Sequence, residues 1–240
     1  MLKAIYQPRG RAAEYCPWAL NLYQGCGHGC LYCYAPAATY KSREKFSQAR
    51  PRPDIIDKLS WDLQALNGSK PDPILLCFTC DPYQAIDVEY KLTRQAIELL
   101  KQGGLHVSIL SKGGQRAERD LDLLGEGDQF GATLTFLDDK DSLEWEPGAA
   151  LPGERLAALR KAHDMGIKTW ASLEPVIDPE QSLEIIRTAH SYIDLFKVGV
   201  WNYDVRAKAI DWHRFGHQVV GLLRELDCEY YIKEDLRKWL

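Results

Sequence analysis

The chain has 240 residues, 45% of them hydrophobic and 27% charged, with a net charge of −4. This is long enough for a sizeable core, ordinary for a soluble domain, and too acidic for broad, nonspecific nucleic-acid affinity, which depends on neutralising phosphates. No apolar run approaches a membrane span, and the opening MLKAIYQPRGRAAEY lacks an apolar signal core, so a cytoplasmic protein with no membrane partner is expected.

Short apolar runs bounded by Gly, Pro, Asp or Ser read as strands, and runs with apolar residues three and four apart read as helices. In chain order the pattern predicts a strand at 18–24, a helix at 54–66, a strand at 73–79 and a helix at 90–101 stopped by Gly103-Gly104. A strand at 105–111, a helix at 116–124, a strand at 131–136 and a helix at 153–165 follow. Next come a strand at 168–173, a helix at 179–190 with Asp178 as N-cap and Pro179 at its start, a strand at 194–200 and a helix at 205–226. A weaker strand is read at 228–232.

Strands alternating with helices imply parallel strands joined by right-handed crossovers. Six such units predict an α/β single domain built as a partial (β/α)6 TIM-type barrel, the doubly wound sheet being the other arrangement. The core would run from about residue 17 to 203, with 204–240 as a C-terminal helix and strand extension. Functional groups gather at the C-terminal ends of parallel strands. The residues expected there are the loop after the first strand, Thr79-Cys80-Asp81, Ser111-Lys112, Thr135 with Asp138, Glu174, and Trp201-Asn202.

The loop after the first strand reads YQGCGHGCLYCYA, with Cys26, Cys30 and Cys33 spaced C-x3-C-x2-C. Seven cysteines in all, an odd number with three bunched, point to a metal or redox site and away from a disulfide framework. A structural zinc site needs four protein ligands, often as two pairs. Cys77 and Cys80 form the other close pair, so a zinc site drawing on these five cysteines is one alternative. Cys77, however, falls inside an apolar strand, where a cysteine is more often a small buried hydrophobe. Three thiolates suit a [4Fe–4S] cluster with one iron left open. Glycines 25, 27 and 29 would let the backbone wrap a bulky group. Downstream, Lys41, Arg43, Lys45, Arg50 and Arg52 face only Glu44 as an opposing charge, a basic stretch that reads as a solvated loop or a nucleic-acid patch.

The cysteine motif with its aromatic before the last cysteine resembles the radical S-adenosylmethionine (radical SAM) superfamily. The stretches GCGHGCLYCYA, TCDPYQ, ILSKGG…RDLDLL and WEPGA are similar to its spore photoproduct lyase-like branch. That resemblance implies a [4Fe–4S] cluster on Cys26, Cys30 and Cys33 and S-adenosylmethionine at its open iron. It implies reductive cleavage to a 5′-deoxyadenosyl radical acting on an unidentified substrate. Asp81, Lys112, Thr135 and Arg155 would bind the cofactor, and Tyr32, Tyr34 and Cys80 would lie on the radical path. His28 is expected as a loop residue that shields the site, and WEPGAALPGERL as a rim loop. A flavodoxin or ferredoxin is the implied electron donor. A nucleic-acid substrate is compatible with the basic stretch but gains no support from the net charge. The competing class is a non-radical iron–sulfur or zinc protein in electron transfer or structure.

Overall fold

The computed structural model describes residues 2–66 and 71–240. Among the described residues ten strands form: β1 Ile5–Tyr6, β2 Trp18–Leu20, β3 Tyr23–Gln24, β4 Arg50–Pro51, β5 Ile74–Leu76, β6 Val107–Ser111, β7 Gln129–Thr133, β8 Lys168–Leu173, β9 Leu195–Val198 and β10 Glu229–Ile232. Eight make one sheet in the order β1-β2-β5-β6-β7-β8-β9-β10. Each neighbouring pair from β2 to β10 is parallel, and β1 runs antiparallel to β2. The six predicted strand–helix units are therefore present as a partial TIM-type barrel. The weakly read strand at the C-terminal end adds a seventh parallel member.

Alternation along the strands separates two layers. Leu20, Ile74, Leu76, Val107, Ile109, Phe130, Leu173, Phe196 and Val198 belong to the large core between sheet and helices. The helix Leu92–Gln102 shows the matching logic. Its Leu92, Ala96, Ile97 and Leu100 are buried on one stripe, each large side chain contributing about 1.5–3 kcal/mol. Inside the barrel a smaller cluster of Cys16, Ala19, Leu75 and Trp170 is ringed by Tyr6, Tyr15, Phe78, Leu110 and Leu195. Gly131 on β7 is required there, since a Cβ would stand 2.3 Å from the Trp170 ring.

The structure departs from the sequence pattern at several places, among them the following. The expected strand 18–24 ends at Leu20 because the Asn21 side chain takes over the ladder. Its Oδ1 accepts from the Phe78 and Thr79 amides at 2.9 and 2.8 Å. Tyr23 and Gln24 then peel away to pair with Pro51 and Arg50. The expected strand 131–136 sits at 129–133, so Thr135 lies beyond its end. The expected helix 205–226 is a 3-10 turn, Val205–Ala209, followed by Trp212–Glu225 with Asp211 accepting from the Arg214 amide. An unforeseen helix, Asp139–Trp145, starts on an Asp138 cap.

The open side of the barrel, between β1 and β10, is crossed by the segment before β2. Its 3-10 turn Gly10–Glu14 leads into Tyr15, whose hydroxyl donates to Glu174 Oε2 at 2.6 Å and sits 3.0 Å from Ser172 Oγ. Lys197 Nζ donates to the Tyr15 carbonyl at 2.7 Å. Glu14 accepts from the Glu234 amide and the Tyr231 hydroxyl, and Arg11 reaches Asp235 at 2.5 Å. Among the described residues no helix is long and apolar enough to cross a membrane.

Candidate active site

The cysteine loop leaves β3 through Gly25, at φ +84°, where a Cβ would stand 2.2 Å from the Phe46 carbonyl oxygen. Only glycine meets both demands. The loop is then pinned at intervals. The Cys26 amide donates to Phe46 O at 2.9 Å, Leu31 N to Trp145 O at 2.8 Å, and Gly148 N to His28 O at 2.9 Å. Gly27 N donates to Gln84 Oε1 at 2.8 Å, and the exposed Arg43 donates to the carbonyls of Cys30 and Cys33 at 3.1 and 3.4 Å. The rim loop after Trp145 packs so closely that a Cβ on Gly148 would meet Gly27 O at 2.5 Å.

Cys26, Cys30 and Cys33 are all free thiols, Cys30 buried and the others half-buried. Burial, with the nearby Asp81 carboxylate, pushes the Cys26 thiol up. Burial likewise pushes Cys30 up to about 12, against the pull of the Lys112 cation. Binding of a metal cluster must therefore displace protons here. Among the described residues no three Cys, His, Asp or Glu side chains stand close enough to hold a single metal ion. His28 is buried, with Nδ1 3.5 Å from Asp81 and Nε2 3.4 Å from Arg116 Nη2. Burial lowers its pKa to about 4, so it is a neutral wall of the loop.

Tyr32 turns inward. Its hydroxyl donates to Glu146 Oε1 and lies 3.2 Å from Thr135 Oγ1. Glu146 Oε2 is 2.6 Å from Arg155 Nη2, both side chains being 0% exposed, and Ser142 Oγ donates to the same oxygen at 3.3 Å. Arg155 also donates to the Ala150 and Thr133 carbonyls at 2.8 and 3.1 Å. Burial would raise the Glu146 carboxyl, but Arg155 and Lys112 outweigh it and hold it below the usual range. Lys112 Nζ stands 5.6 Å from the Tyr32 ring centre. Burial draws that ammonium down, yet Cys30 and Glu146 push harder and hold it above the ordinary lysine value. Among the described residues Lys112 Nζ has no carboxylate within ion-pair distance.

Asp81 is a hub. Its Oδ1 accepts from Ser111 Oγ at 2.7 Å and the Tyr83 amide at 2.8 Å, and its Oδ2 accepts from the Lys112 amide at 2.6 Å. It thereby ties the loop after β5 to the end of β6 and sets the position of Lys112. Tyr34 lies on the rim, 37% exposed, its ring 6.1 Å from Phe78 and 6.3 Å from Tyr203. Cys80 is buried beside Cys77, whose thiol is raised by burial and by a hydrogen bond with Cys80. Of the residues singled out in the sequence, the three cysteines, Tyr32, Lys112, Thr135, Arg155 and Asp81 thus converge around one loop. Glu146, Ser142, Gln84 and Arg43 complete it and were not foreseen as site residues. WEPGA carried Glu146 in plain view, but nothing in a strand-end argument assigns a role to a residue on a connecting loop.

These features fit a [4Fe–4S] cluster. A glycine-lined loop offers three free soft donors, its backbone is fixed by bonds from three different segments, and an unpaired ammonium stands where cluster and thiolate charge would accumulate.

Comparison with known proteins agrees. The family described as the Radical SAM superfamily matches residues 20–193, well over half of the chain. An uncharacterized protein of Acidianus two-tailed virus is 27% identical over 187 residues, 71% of this chain and 59% of that protein. One of Mycobacterium tuberculosis (strain H37Rv) is 27% identical over 67% of this chain and 49% of its own length. One of Methanocaldococcus jannaschii is 26% identical over 70% of this chain and 64% of its own. The chain thus spans less than two thirds of each of these curated relatives. Among solved structures, spore photoproduct lyase complexed with dinucleoside spore photoproduct superposes with TM-score 0.71 at 16% identity, over 98% of this chain and 80% of that one. Streptococcus suis SuiB bound to S-adenosylmethionine gives 0.64 at 14% identity, over 89% and 50%. At these identities the likeness is one of fold. From the loop, its surroundings and the extent of the family match, the chain belongs to the radical SAM superfamily.

Proposed function

We propose that this protein is a radical SAM enzyme whose Cys26, Cys30 and Cys33 hold a [4Fe–4S] cluster. When bound, the cluster with S-adenosylmethionine supplies a reductively generated 5′-deoxyadenosyl radical that abstracts a hydrogen atom from substrate. The observation that carries this reading is the pinned, glycine-dependent loop with three free thiols, one of which, Cys30, lies in the field of the Lys112 ammonium.

The chain's own residues divide the remaining work. Lys112 offsets the negative charge of thiolates and cofactor carboxylate, held in place by the Asp81 bond to its amide. Asp81 therefore serves cofactor binding through the backbone it orders. Thr135 and Arg155 serve it by fixing Glu146 and Tyr32, the floor on which the cofactor would rest. Burial of this network excludes water, which a radical reaction requires. Tyr34, at the rim beside Phe78 and Tyr203, faces the substrate side. The Cys80 thiol, buried near Tyr6 and Cys77, is the hydrogen-atom donor of this reading. The solved neighbours hold chemically different partners, a dinucleoside photoproduct in one and a precursor peptide in the other, so neither substrate is assigned here.

Anaerobic reconstitution with iron and sulfide, then reduction with S-adenosylmethionine present, tests the proposal. Release of 5′-deoxyadenosine, and a change in the reduced-cluster spectrum on adding S-adenosylmethionine, are expected. A fully loaded cluster that yields neither refutes it and leaves the non-radical iron–sulfur class. Zinc in place of iron refutes the cluster itself.

A further inference from the structure

Among the described residues two cations lie over two aromatic rings at once. Lys197 does so inside the barrel, against Tyr15 and Trp170. Arg206 does so beyond the C-terminal ends of the strands, against Trp145 and Trp201, its Cζ 4.7 and 4.9 Å from the two ring centres. The two indoles are 5.5 Å apart and inclined at 79°, so they stand as the walls of a corner. The framework of the site holds both walls. Trp201 follows β9 and is buried. Trp145 ends the helix Asp139–Trp145, and Phe136 backs its ring at 6.1 Å. Its carbonyl accepts from Leu31 in the cysteine loop, and the next residue, Glu146, accepts from Tyr32.

The occupant of the corner is held more loosely. Arg206 is 57% exposed, on the 3-10 turn Val205–Ala209. Among the described residues the backbone of 203–206 makes no hydrogen bond to another element. The guanidinium bonds to Asp204 alone, through Nε at 2.9 Å and Nη2 at 2.6 Å. Both partners ride on the same turn, so the side chain can leave the corner with its ion pair intact. Indole faces attract cations, and a guanidinium also stacks flat on them. A corner that holds one guanidinium this way can take another. The neighbouring charge favours a cationic visitor. The helix that presents Trp145 has Asp138 as its cap and Asp139, Asp141 and Glu144 along it, against Lys140 alone. Asp141 lies one turn before Trp145, on the same face. We infer that the Trp145–Trp201 corner recognises an arginine side chain of a basic peptide substrate, and that Arg206 is its built-in competitor, displaced when the peptide binds. That the peptide is the substrate rests on the enzyme reading above, because the corner adjoins Glu146 and the cysteine loop. Nucleic acid fits less well: rings set near a right angle leave no parallel slot for a base, and the acidic helix repels phosphate.

The test is anaerobic titration calorimetry of the reconstituted protein. The probe is a blocked peptide with two arginines spaced by glycines. Its citrulline twin, guanidinium chloride and single-stranded DNA are the comparisons. The arginine peptide should bind saturably at or below millimolar concentration, and the citrulline twin at least about fivefold more weakly. Arg206→Gln empties the corner from an exposed turn and should tighten the arginine peptide about threefold. Arg206→Gln/Asp204→Asn should keep that gain, which separates a vacated corner from a change in local charge. Trp145→Leu should weaken binding about fivefold or more with or without Arg206. Failure of both parent and Arg206→Gln to bind the peptide overturns the inference, as does equal affinity in the two. Equal affinity for guanidinium chloride would make the corner a small-cation site, and DNA binding lost in Trp145→Leu would make it a stacking surface; either overturns the proposal. Release of 5′-deoxyadenosine by a protein that ignores the peptide sinks this inference and spares the enzyme reading. Peptide binding by a fully loaded protein that releases none sinks the enzyme reading, and the peptide's role as substrate with it.

Discussion

The buried pair beneath the cysteine loop gives the sharpest test of the physical account. Arg155 and Glu146 are 0% exposed and 2.6 Å apart. Arg155→Met keeps much of the side-chain volume but removes every donor, leaving the Glu146 carboxylate without its nearest cation and the Ala150 and Thr133 carbonyls without their guanidinium bonds. Removing one partner of a buried pair costs about 3–5 kcal/mol, and each orphaned carbonyl adds about 1 kcal/mol or more. Tyr32 and Ser142 still donate to Glu146, and Lys112 remains near, so the net should stay close to 4 kcal/mol, about 10 °C in Tm for a chain of this size. Glu146→Gln should cost somewhat less, since its amide oxygen can still accept from Tyr32. The double variant should be more stable than the two losses added together predict, because no uncompensated charge is left inside. Urea unfolding of the metal-free, reduced protein measures all four corners of the cycle. Strict additivity, or a loss under about 1 kcal/mol in Arg155→Met, would refute the view that this ion pair holds the floor of the site.

Cys26→Ala, Cys30→Ala and Cys33→Ala should each abolish or deplete iron after reconstitution, whereas Cys228→Ala, on the far edge of the fold, should load like the parent; iron analysis decides. Gly148→Ala drives a Cβ to within 2.5 Å of Gly27 O. It should cost about 1–3 kcal/mol and lower cluster loading, and a variant with parental loading and stability would show that the two loops are not rigidly joined. Lys197 is lowered by burial to about 8, against about 10.4 in an unfolded chain. Between those values the unfolded state holds the extra proton, so stability rises with pH by up to about 1.4 kcal/mol per unit and is lost as pH falls through the same window. Lys197→Met should flatten this part of the profile; urea midpoints that keep the same alkaline slope in parent and variant would contradict the burial argument.

How much of this was legible in the sequence depends on the range of the forces involved. Strand alternation and helical periodicity are local, so the strand–helix units and the C-x3-C-x2-C loop could be read directly. The strand-end rule brought Lys112 and Asp81 to the right rim. Thr135, though past the end of β7, still reached Tyr32. What could not be read was long-range. Nothing around Asn21 announces that its side chain will cap the Phe78 and Thr79 amides 57 and 58 residues away and so cut a strand short. Glu146 and Arg155 were separate acidic and basic residues until helix packing buried them against each other. Arg43 looked like one member of a solvated basic run. Its bonds to the cysteine carbonyls depend on the short helix Arg43–Ser47 folding back over the loop.

The segment Gly10–Tyr15 has a consequence for anyone reshaping this molecule. It works as the last stave of the barrel. Its fastening to β10 and the turn beyond consists of side-chain contacts from Arg11, Glu14 and Tyr15, the last through the Lys233 ammonium over its ring, with none of the ladder bonds that weld the strands together. Trimming it would unseal the wall beside Glu174 and Lys233 and flood the interior, and a bulky fusion placed just ahead of it would lever on the weakest joint in the fold.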